Sequence, residues 1–407
     1  MGIIVQKFGG TSVADGTKIK NVAKRIVRTH EEGYRVAVVV SAMGDTTDRL
    51  AFLAHEISAN PPERELAMLL STGEQVSIAL LAMAVSELGY QAISLTGTQV
   101  GIITGGFYSE ARIQHINDTR ILSELDQEKI VILAGFQGVS IDNEITTLGR
   151  GASDTTATAV AATLGADRCE IYTDVDGVYT ADPRVVPNAR KLSRITYDEM
   201  FEMAQLGAKV LHSRSVEIAK KFDVPLHVRS SFGEDEGTMV VKDSDMIEEV
   251  VISGVTSDKD QAKISLLGLP DTPGIAAQIF QKVADANINI DMIIQNAGQD
   301  DTADISFTVA EKDLAPTLGI VENLKSNMGF RSISTDKTIA KISAIGIGMQ
   351  SHVGIAARMF SALGAEGVNI QMISTSEIKI SCAIAERHTE RAVRAVHDEF
   401  ELGNVAS

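Results

Sequence analysis

Only two cysteines, Cys169 and Cys382, occur in the 407 residues, so no disulfide framework is available and the chain suits a reducing cytosol. Positive charge is in deficit: 37 Lys and Arg stand against 54 Asp and Glu, a net charge of −17. That balance excludes nucleic acid and anionic membrane surfaces as expected partners, although a local basic pocket for a nucleotide can exist within an acidic surface. No uninterrupted apolar run reaches about 18 residues, so no membrane span is expected. The N-terminus lacks a basic leader and a cleavage site. The eight histidines show neither HxH nor HExxH spacing, so no dedicated zinc site is expected. GxxxxGK[ST] and GxGxxG are both missing, which sets aside the two commonest glycine-rich phosphate loops.

What is present begins at the first residues. The apolar strand Ile3-Ile4-Val5 runs into Lys7-Phe8-Gly9-Gly10-Thr11-Ser12 and then an amphipathic helix from about Asp15. Paired glycines let backbone N–H groups approach an anion, a helix start adds positive potential, and Lys7 adds a mobile charge. A strand-to-helix turn that merely needs glycine has the same pattern. Strand candidates at 3–6, 36–40, 91–95, 130–134, 170–173 and 225–230 alternate with helical stretches, which predicts an α/β fold with a mostly parallel central sheet. Residues 136–141 and 144–147 read as a hairpin, and Asp176-Gly177 as a further tight turn.

Near residues 233–245 the composition turns to Gly, Asp, Glu and Ser, and a domain boundary is placed there. Beyond it the chain repeats itself at about 80 residues. Lys263-Ile264-Ser265 matches Lys341-Ile342-Ser343, and Gly274-Ile275-Ala276-Ala277 matches Gly354-Ile355-Ala356-Ala357. Asn289-Ile290-Asp291-Met292-Ile293 matches Asn369-Ile370-Gln371-Met372-Ile373. Each repeat reads as strand–helix–strand–strand–helix–strand, the split βαβ plan. The expected domains are 1–245, 246–335 and 336–407.

Four further stretches carry polar groups where chemistry could use them. Ser41-Ala42-Met43-Gly44 follows a strand end and leads to Thr47, a ligand position in open sheets or an ordinary capped loop. Glu74 in Ser71-Thr72-Gly73-Glu74 sits in apolar surroundings, either in a capping box or facing a ligand amine. Gly149-Arg150-Gly151-Ala152-Ser153-Asp154 opens a helix: Ser153 or Asp154 can cap it, and Arg150 can grip a carboxylate with two parallel bonds. Tyr172 to Arg184 follows another strand and offers Thr173, Asp174, Tyr179 and Arg184 to a nucleotide, or forms a hairpin with solvated charges. Lys209, with Val210 beside it, is one more phosphate cation or an exposed lysine.

These motifs, in this order, resemble aspartate kinases of the amino acid kinase superfamily, and the duplicated tail is similar to their paired ACT regulatory domains. The resemblance spans essentially the whole chain. It implies an amino acid kinase fold followed by tandem ferredoxin-like ACT domains. It implies transfer of the ATP γ-phosphoryl group to the β-carboxylate of L-aspartate, the first step toward lysine, threonine and methionine. Lys7 and Asp154 are then catalytic, Lys7 on the phosphoryl group and Asp154 as its organiser. Ser41, Thr47, Glu74, Arg150, Gly151 and Ser153 bind aspartate. Lys7, Gly9, Gly10, Thr173, Asp174, Tyr179, Arg184, Lys209 and Val210 bind ATP with Mg²⁺, the metal held mostly by phosphates and water rather than by protein ligands.

The resemblance further implies lysine or threonine as effectors. Their expected contacts are Asp271, Gly274, Ile275, Ala276, Asn289, Asp291 and Gln295 in one repeat, and Ile355, Ala356, Asn369, Ile370, Ser376 and Glu377 in the other. It implies homo-oligomers through the ACT domains, and in some relatives a shorter regulatory subunit from an internal start, for which Met246 is the candidate. Two departures stand out: Ala152 replaces a usual glycine, and Val353 replaces a frequent proline. The rivals are another amino acid kinase, of glutamate 5-kinase or acetylglutamate kinase type, and a non-catalytic amino-acid-binding regulator. No fused homoserine dehydrogenase is expected.

Overall fold

A computed structural model describes residues 1–149, 151–242, 251–298 and 301–403. Arg150 and Met246 therefore lie outside the described residues, as does the expected domain boundary at 245. The described chain divides into two units. The first holds 1–179, 191–205 and 209–242; the second holds Thr180–Arg190, Leu206–Ala208 and 251–403.

The first unit starts with β1 (Ile3–Phe8), α1 (Gly16–Glu31), β2 (Arg35–Val40), α2 (Thr46–Ile57), α3 (Glu63–Leu70), α4 (Thr72–Glu87) and β3 (Ala92–Leu95). It continues through α5 (Gly97–Val100), β4 (Ile102–Gly105), β5 (Arg112–Ile116), α6 (Thr119–Leu125), β6 (Ile130–Ala134), β7 (Gln137–Val139) and β8 (Ile145–Thr147). Then come α7 (Ala152–Leu164), β9 (Arg168–Thr173), β10 (Arg194–Thr196), α8 (Tyr197–Gln205), α9 (Ser213–Phe222), β11 (Leu226–Ser230) and β12 (Thr238–Val241). The main sheet runs β10-β12-β11-β9-β1-β2-β6-β3. Strands β11, β9, β1, β2, β6 and β3 are mutually parallel, and β12 joins antiparallel to β11. Burial on both faces explains why these strands read as continuous Val and Ile runs. The expected α/β fold is present, and so is the hairpin, as β7 with β8.

Strand β12, Thr238–Val241, lies within the polar stretch that begins at Gly233 and pairs with β11 as part of the first unit. By length and composition, the stretch Glu63–Glu87 could cross a membrane. In this fold it is broken between α3 and α4, and Ile78, Leu81 and Val85 pack with Phe8, Val38 and Ile132 in the core. The two cysteines are buried and free, with burial pushing both thiols up.

The second unit contains β13 (Gly254–Pro270), α10 (Ile275–Asp285), β14 (Ile293–Ala297), β15 (Thr302–Val309) and α11 (Leu314–Met328). It ends with β16 (Ser332–Ile345), α12 (Ile355–Ala365), β17 (Ile370–Thr375), β18 (Lys379–Ala385) and α13 (Thr389–Glu399). Its single sheet has the order β14-β15-β13-β16-β18-β17. The two long strands are shared. Residues 262–270 of β13 pair with β15, whereas residues 254–258 pair with the 341–345 end of β16, next to β18.

Among the described residues the second repeat has no closing strand after α13. The start of β13, upstream of the first repeat, supplies it, and Ile252 and Val255 lie in the second repeat's core with Ile342 and Val396. The expectation of two consecutive six-element repeats is corrected: the first is inserted into the second.

Candidate active site

Because β1, β2, β6 and β9 are parallel, the segments after Phe8, Val40, Ala134 and Thr173 leave the sheet at one edge, where open α/β sheets receive ligands. Lys7 points into this edge from β1. Its ammonium lies 2.6 Å from Asp154 Oδ1, and both residues are nearly buried, at 8% and 7% exposure. The pair holds the lysine side chain in one place. The other carboxylate oxygen, Oδ2, accepts the backbone N–H of His212 at 3.3 Å. A Cβ on Gly9 would stand 3.5 Å from the Lys7 ammonium, so the glycine turn passes directly over the charge.

The turn is tightly fitted. A Cβ on Gly10 would lie 2.8 Å from Ala42 O and 3.0 Å from Gly44 O, and Gly44 N–H donates to Gly10 O at 3.0 Å. The Gly9 N–H is not a free donor as expected: it donates to Tyr172 O at 3.3 Å, closing β1 onto β9. Beneath it Phe8 and Tyr172 stack with ring centroids 4.7 Å apart.

Glu74 reaches the same edge from the first turn of α4. The carboxylate accepts the Ala42 N–H at 3.1 Å, so it bonds the loop that also meets Gly10. It is 2% exposed, and burial pushes the carboxyl up to about 7, opposed by the bonds from its own N–H and that of Ala42. Oε2 is buried without a hydrogen-bond partner among the described residues. The capping-box alternative is corrected: the Ser71 hydroxyl donates backwards to Met68 O, and no side-chain cap forms. Gly73 brings α4 close, since a Cβ there would meet the Ala42 methyl at 2.8 Å.

Helix α7 aims its N-terminus into the site. It starts at Ala152 with Gly151 as its N-cap at φ +76°, so Ser153 and Asp154 are buried first-turn residues and not caps. Ala152 fits because its methyl belongs to a small core with Ala111, Phe136 and Leu148. Ser153 Oγ occupies the space over Gly135, where a Cβ would lie 2.7 Å away. Arg214 braces the preceding loop by donating to Leu148 O at 2.7 Å and Ala111 O at 3.0 Å. The His212 ring packs 3.0 Å from where a Gly151 Cβ would be, and burial lowers its pKa. Ser41 and Thr47 are half-buried at the end of β2 and the start of α2.

The expected nucleotide residues are less closely gathered. Thr173 ends β9 and donates to Asp174 at 3.2 Å. The Tyr179 hydroxyl donates to the Asp176 carboxylate at 3.0 and 3.1 Å, and Lys191 approaches that carboxylate at 3.2 Å. Asp176-Gly177 thus belongs to a braced loop rather than a tight hairpin turn. Lys209 is exposed with φ +49°, and Val210 is half-buried. Arg184 belongs to Thr180–Arg190 of the second unit, with its guanidinium 2.7 Å from Asp182.

His212, Gly135 and Arg214 were not read from the sequence, and Ala42 only as a member of the loop Ser41–Gly44. Three of them act through the backbone or through missing atoms, which leave no side-chain signal, and Arg214 bonds carbonyls distant in the chain.

In the second unit, Ile355, Ala356, Ser376 and Glu377 line one cavity of about 460 Å³ together with His352 and Thr375. Val353 is fully exposed. Asp271, Gly274, Asn289, Gln295 and Asn369 are exposed, and Ile370 is half-buried in β17. Asp291 pairs with the buried Lys341 ammonium, which ties the first repeat to the second. At the equivalent positions Lys263 donates to Gln371 at 2.6 Å.

A parallel sheet with a lysine–glycine turn over a buried aspartate, followed by a duplicated split-βαβ unit, defines a small-molecule kinase with a regulatory tail. Residues 2–230 match the model of the amino acid kinase family, and 264–323 and 342–400 match that of the ACT domain. The chain is 52% identical to an aspartokinase of Pseudomonas aeruginosa over 99% of this chain and 98% of that one. It is 26% identical to E. coli aspartokinase III in complex with aspartate and ADP, with a TM-score of 0.84, over 98% of this chain and 99% of that one. The lysine- and aspartate-bound T-state of the same E. coli enzyme gives a TM-score of 0.76 at the same identity and coverage. The chain belongs to the amino acid kinase family and, within it, to the aspartokinases.

Proposed function

We propose that this protein transfers the γ-phosphoryl group of MgATP to the β-carboxylate of L-aspartate, giving 4-phospho-L-aspartate and ADP. The observation that supports it most strongly is the pairing of a held cation with an unmatched anion at one sheet edge. The Lys7 ammonium lies under the Gly9 turn, and the buried Oε2 of Glu74 has no partner among the described residues. A buried acceptor without a mate is the mark of a group that meets a ligand donor, and an α-ammonium is such a donor.

The acceptor carboxylate is ionised at neutral pH, so no strong base is needed. The barrier is electrostatic: an anion must approach a polyanion. Lys7 neutralises charge on the transferring phosphoryl group, and the α7 N-terminus adds positive potential on the acceptor side. Asp154 holds Lys7 in place and takes no proton. By resemblance to the family, Arg150 is the residue that grips a carboxylate of aspartate, and Ser41, Thr47 and Ser153 complete the pocket. Mg²⁺, entering with ATP and needing few protein ligands, would neutralise phosphate charge there.

The duplicated unit binds an amino acid effector, lysine or threonine, and inhibits the kinase. The cavity lined by Ile355, Ala356, Ser376 and Glu377 supports this, with the α12 N-terminus for a carboxylate and Glu377 for an ammonium. A substrate panel tests the reading. ADP release from MgATP should require aspartate and not respond to glutamate or N-acetylglutamate. Turnover with either of those instead would move the chain to another amino acid kinase activity.

A further inference from the structure

Side chains alternate along β1, so Gln6 and Phe8 leave the strand on the face opposite Lys7. The parallel register sets Gln6 beside Glu170 and Phe8 beside Tyr172 of β9. All four residues are buried. We propose that Glu170, acting through Gln6 and Tyr172, is a positioning residue that fixes the Lys7–Gly9 turn for phosphoryl transfer.

The Glu170 carboxylate gathers groups from three neighbouring strands. Gln6 Nε2 and the Tyr172 hydroxyl both donate to Oε2, at 2.8 and 3.0 Å. Arg168 Nε donates to Oε1 at 2.9 Å, and the Arg229 guanidinium of β11 lies 3.8 Å from the same oxygen. Burial works to raise this carboxyl, but the bonds from Gln6, Arg168 and Tyr172 hold it below the ordinary carboxylate range. Gln6 Nε2 also donates to the Thr29 hydroxyl of α1 at 2.9 Å, which ties β1 to the helix that follows the turn.

Tyr172 carries this hold to the turn by two routes, its ring and its carbonyl. The ring stacks on Phe8 with planes 6° apart, and the guanidinium carbons of Arg25 and Arg229 lie 5.0 and 5.7 Å from its centroid. The carbonyl accepts the Gly9 N–H. Any rotation of Tyr172 therefore moves Phe8 and Gly9, the two residues that follow Lys7. Stability alone does not account for the cluster. Gln6 Oε1 and Arg229 Nε are buried without a hydrogen bond among the described residues, and apolar side chains of equal volume commonly stabilise a core as well as buried ions do. A charged cluster does give what an apolar one cannot: directional bonds that allow the ring a single orientation.

The inference rests on the proposed phosphoryl transfer at Lys7. The test uses the full chain with Glu170→Gln, which removes the charge, and Tyr172→Phe, which keeps the stacked ring and removes only its hydroxyl. Because Tyr172→Phe preserves the packing, it supplies a folded variant even if Glu170→Gln does not fold. Aspartate-dependent ADP release is measured with hydrogen–deuterium exchange of residues 8–12 in the absence of substrates. In each folded variant kcat should fall about tenfold or more, as misplacement of a reacting group by an ångström does, and the amides at 8–12 should exchange faster. The KM for aspartate should stay unchanged, since the residues proposed to bind it lie on other segments. A merely structural role would lower the melting temperature and leave kcat of the folded protein as in wild type. Folded variants that keep the wild-type kcat overturn the positioning role while leaving the kinase reading intact. Absence of aspartate-dependent ADP release by wild type overturns both.

Discussion

At the level of single residues, Glu74 is the strongly shifted carboxyl at the site. Its carboxyl is raised by burial from the ordinary 4.5 to about 7, so the free protein holds a proton there at pH values where the unfolded chain does not. Stability contributed by this group is greatest at low pH and falls as pH rises from about 4.5 to 7. Above pH 7 the buried carboxylate costs the free protein about 3 kcal/mol. Glu74→Gln should therefore raise the melting temperature at pH 8 while raising the KM for aspartate, checked by calorimetry and steady-state kinetics. The wild-type KM for aspartate should climb as pH drops below about 7, because a protonated Glu74 cannot pair with an ammonium; a flat KM between pH 6 and 8 contradicts that role.

Much of this residue-level picture was legible in the sequence. Lys7, Glu74 and Asp154 declared themselves as charged groups among apolar and small neighbours, which demands a partner for each. The Lys7–Asp154 pair was expected only from the family resemblance and the Ala42–Glu74 bond not at all, since both join segments far apart in the chain.

Among the elements, the site depends on loops that approach closer than side chains allow. Gly10→Ala would place a methyl 2.8 Å from Ala42 O, a backbone atom with no room to yield. It should lower kcat/KM about tenfold or more with little change in secondary structure, as misplacement of about an ångström does. The start of α7 shows the limit of motif reading. Ala152, where a second glycine is usual, lies inside the first helical turn, and its methyl fills a core; no sequence pattern reveals that fit. The cross-repeat pairs are a second element-level feature. Lys341 is nearly buried while Asp291 remains partly exposed. Truncating the acid strands a buried cation, so Asp291→Ala should destabilise by about 3 kcal/mol and by more than Lys341→Met does. Urea denaturation of both variants decides this.

For the whole molecule, periodicity disclosed an α/β unit followed by two related repeats, because both depend on local apolar spacing. It could not disclose that the first repeat is inserted into the second, or that Thr180–Arg190 leaves the first unit, since strand pairing and long-range packing leave no periodic trace. In a chain with a net charge of −17, the proposed nucleotide site must rely on local positive groups such as Lys7 and the α7 start. Raising salt should therefore weaken ADP binding only modestly, since short-range buried interactions are little screened; calorimetry at two ionic strengths checks it.

In the proposed reaction Lys7, held by Asp154, lets one anion attack another. Incubation with MgATP, aspartate and hydroxylamine, with quantitation of both aspartyl hydroxamate and ADP, tests it most directly. Wild type should give the two products in equal amounts, and folded Lys7→Ala should lose about two orders of magnitude or more in rate. Folded wild type that forms no hydroxamate, or a Lys7→Ala variant that matches it, would contradict the account.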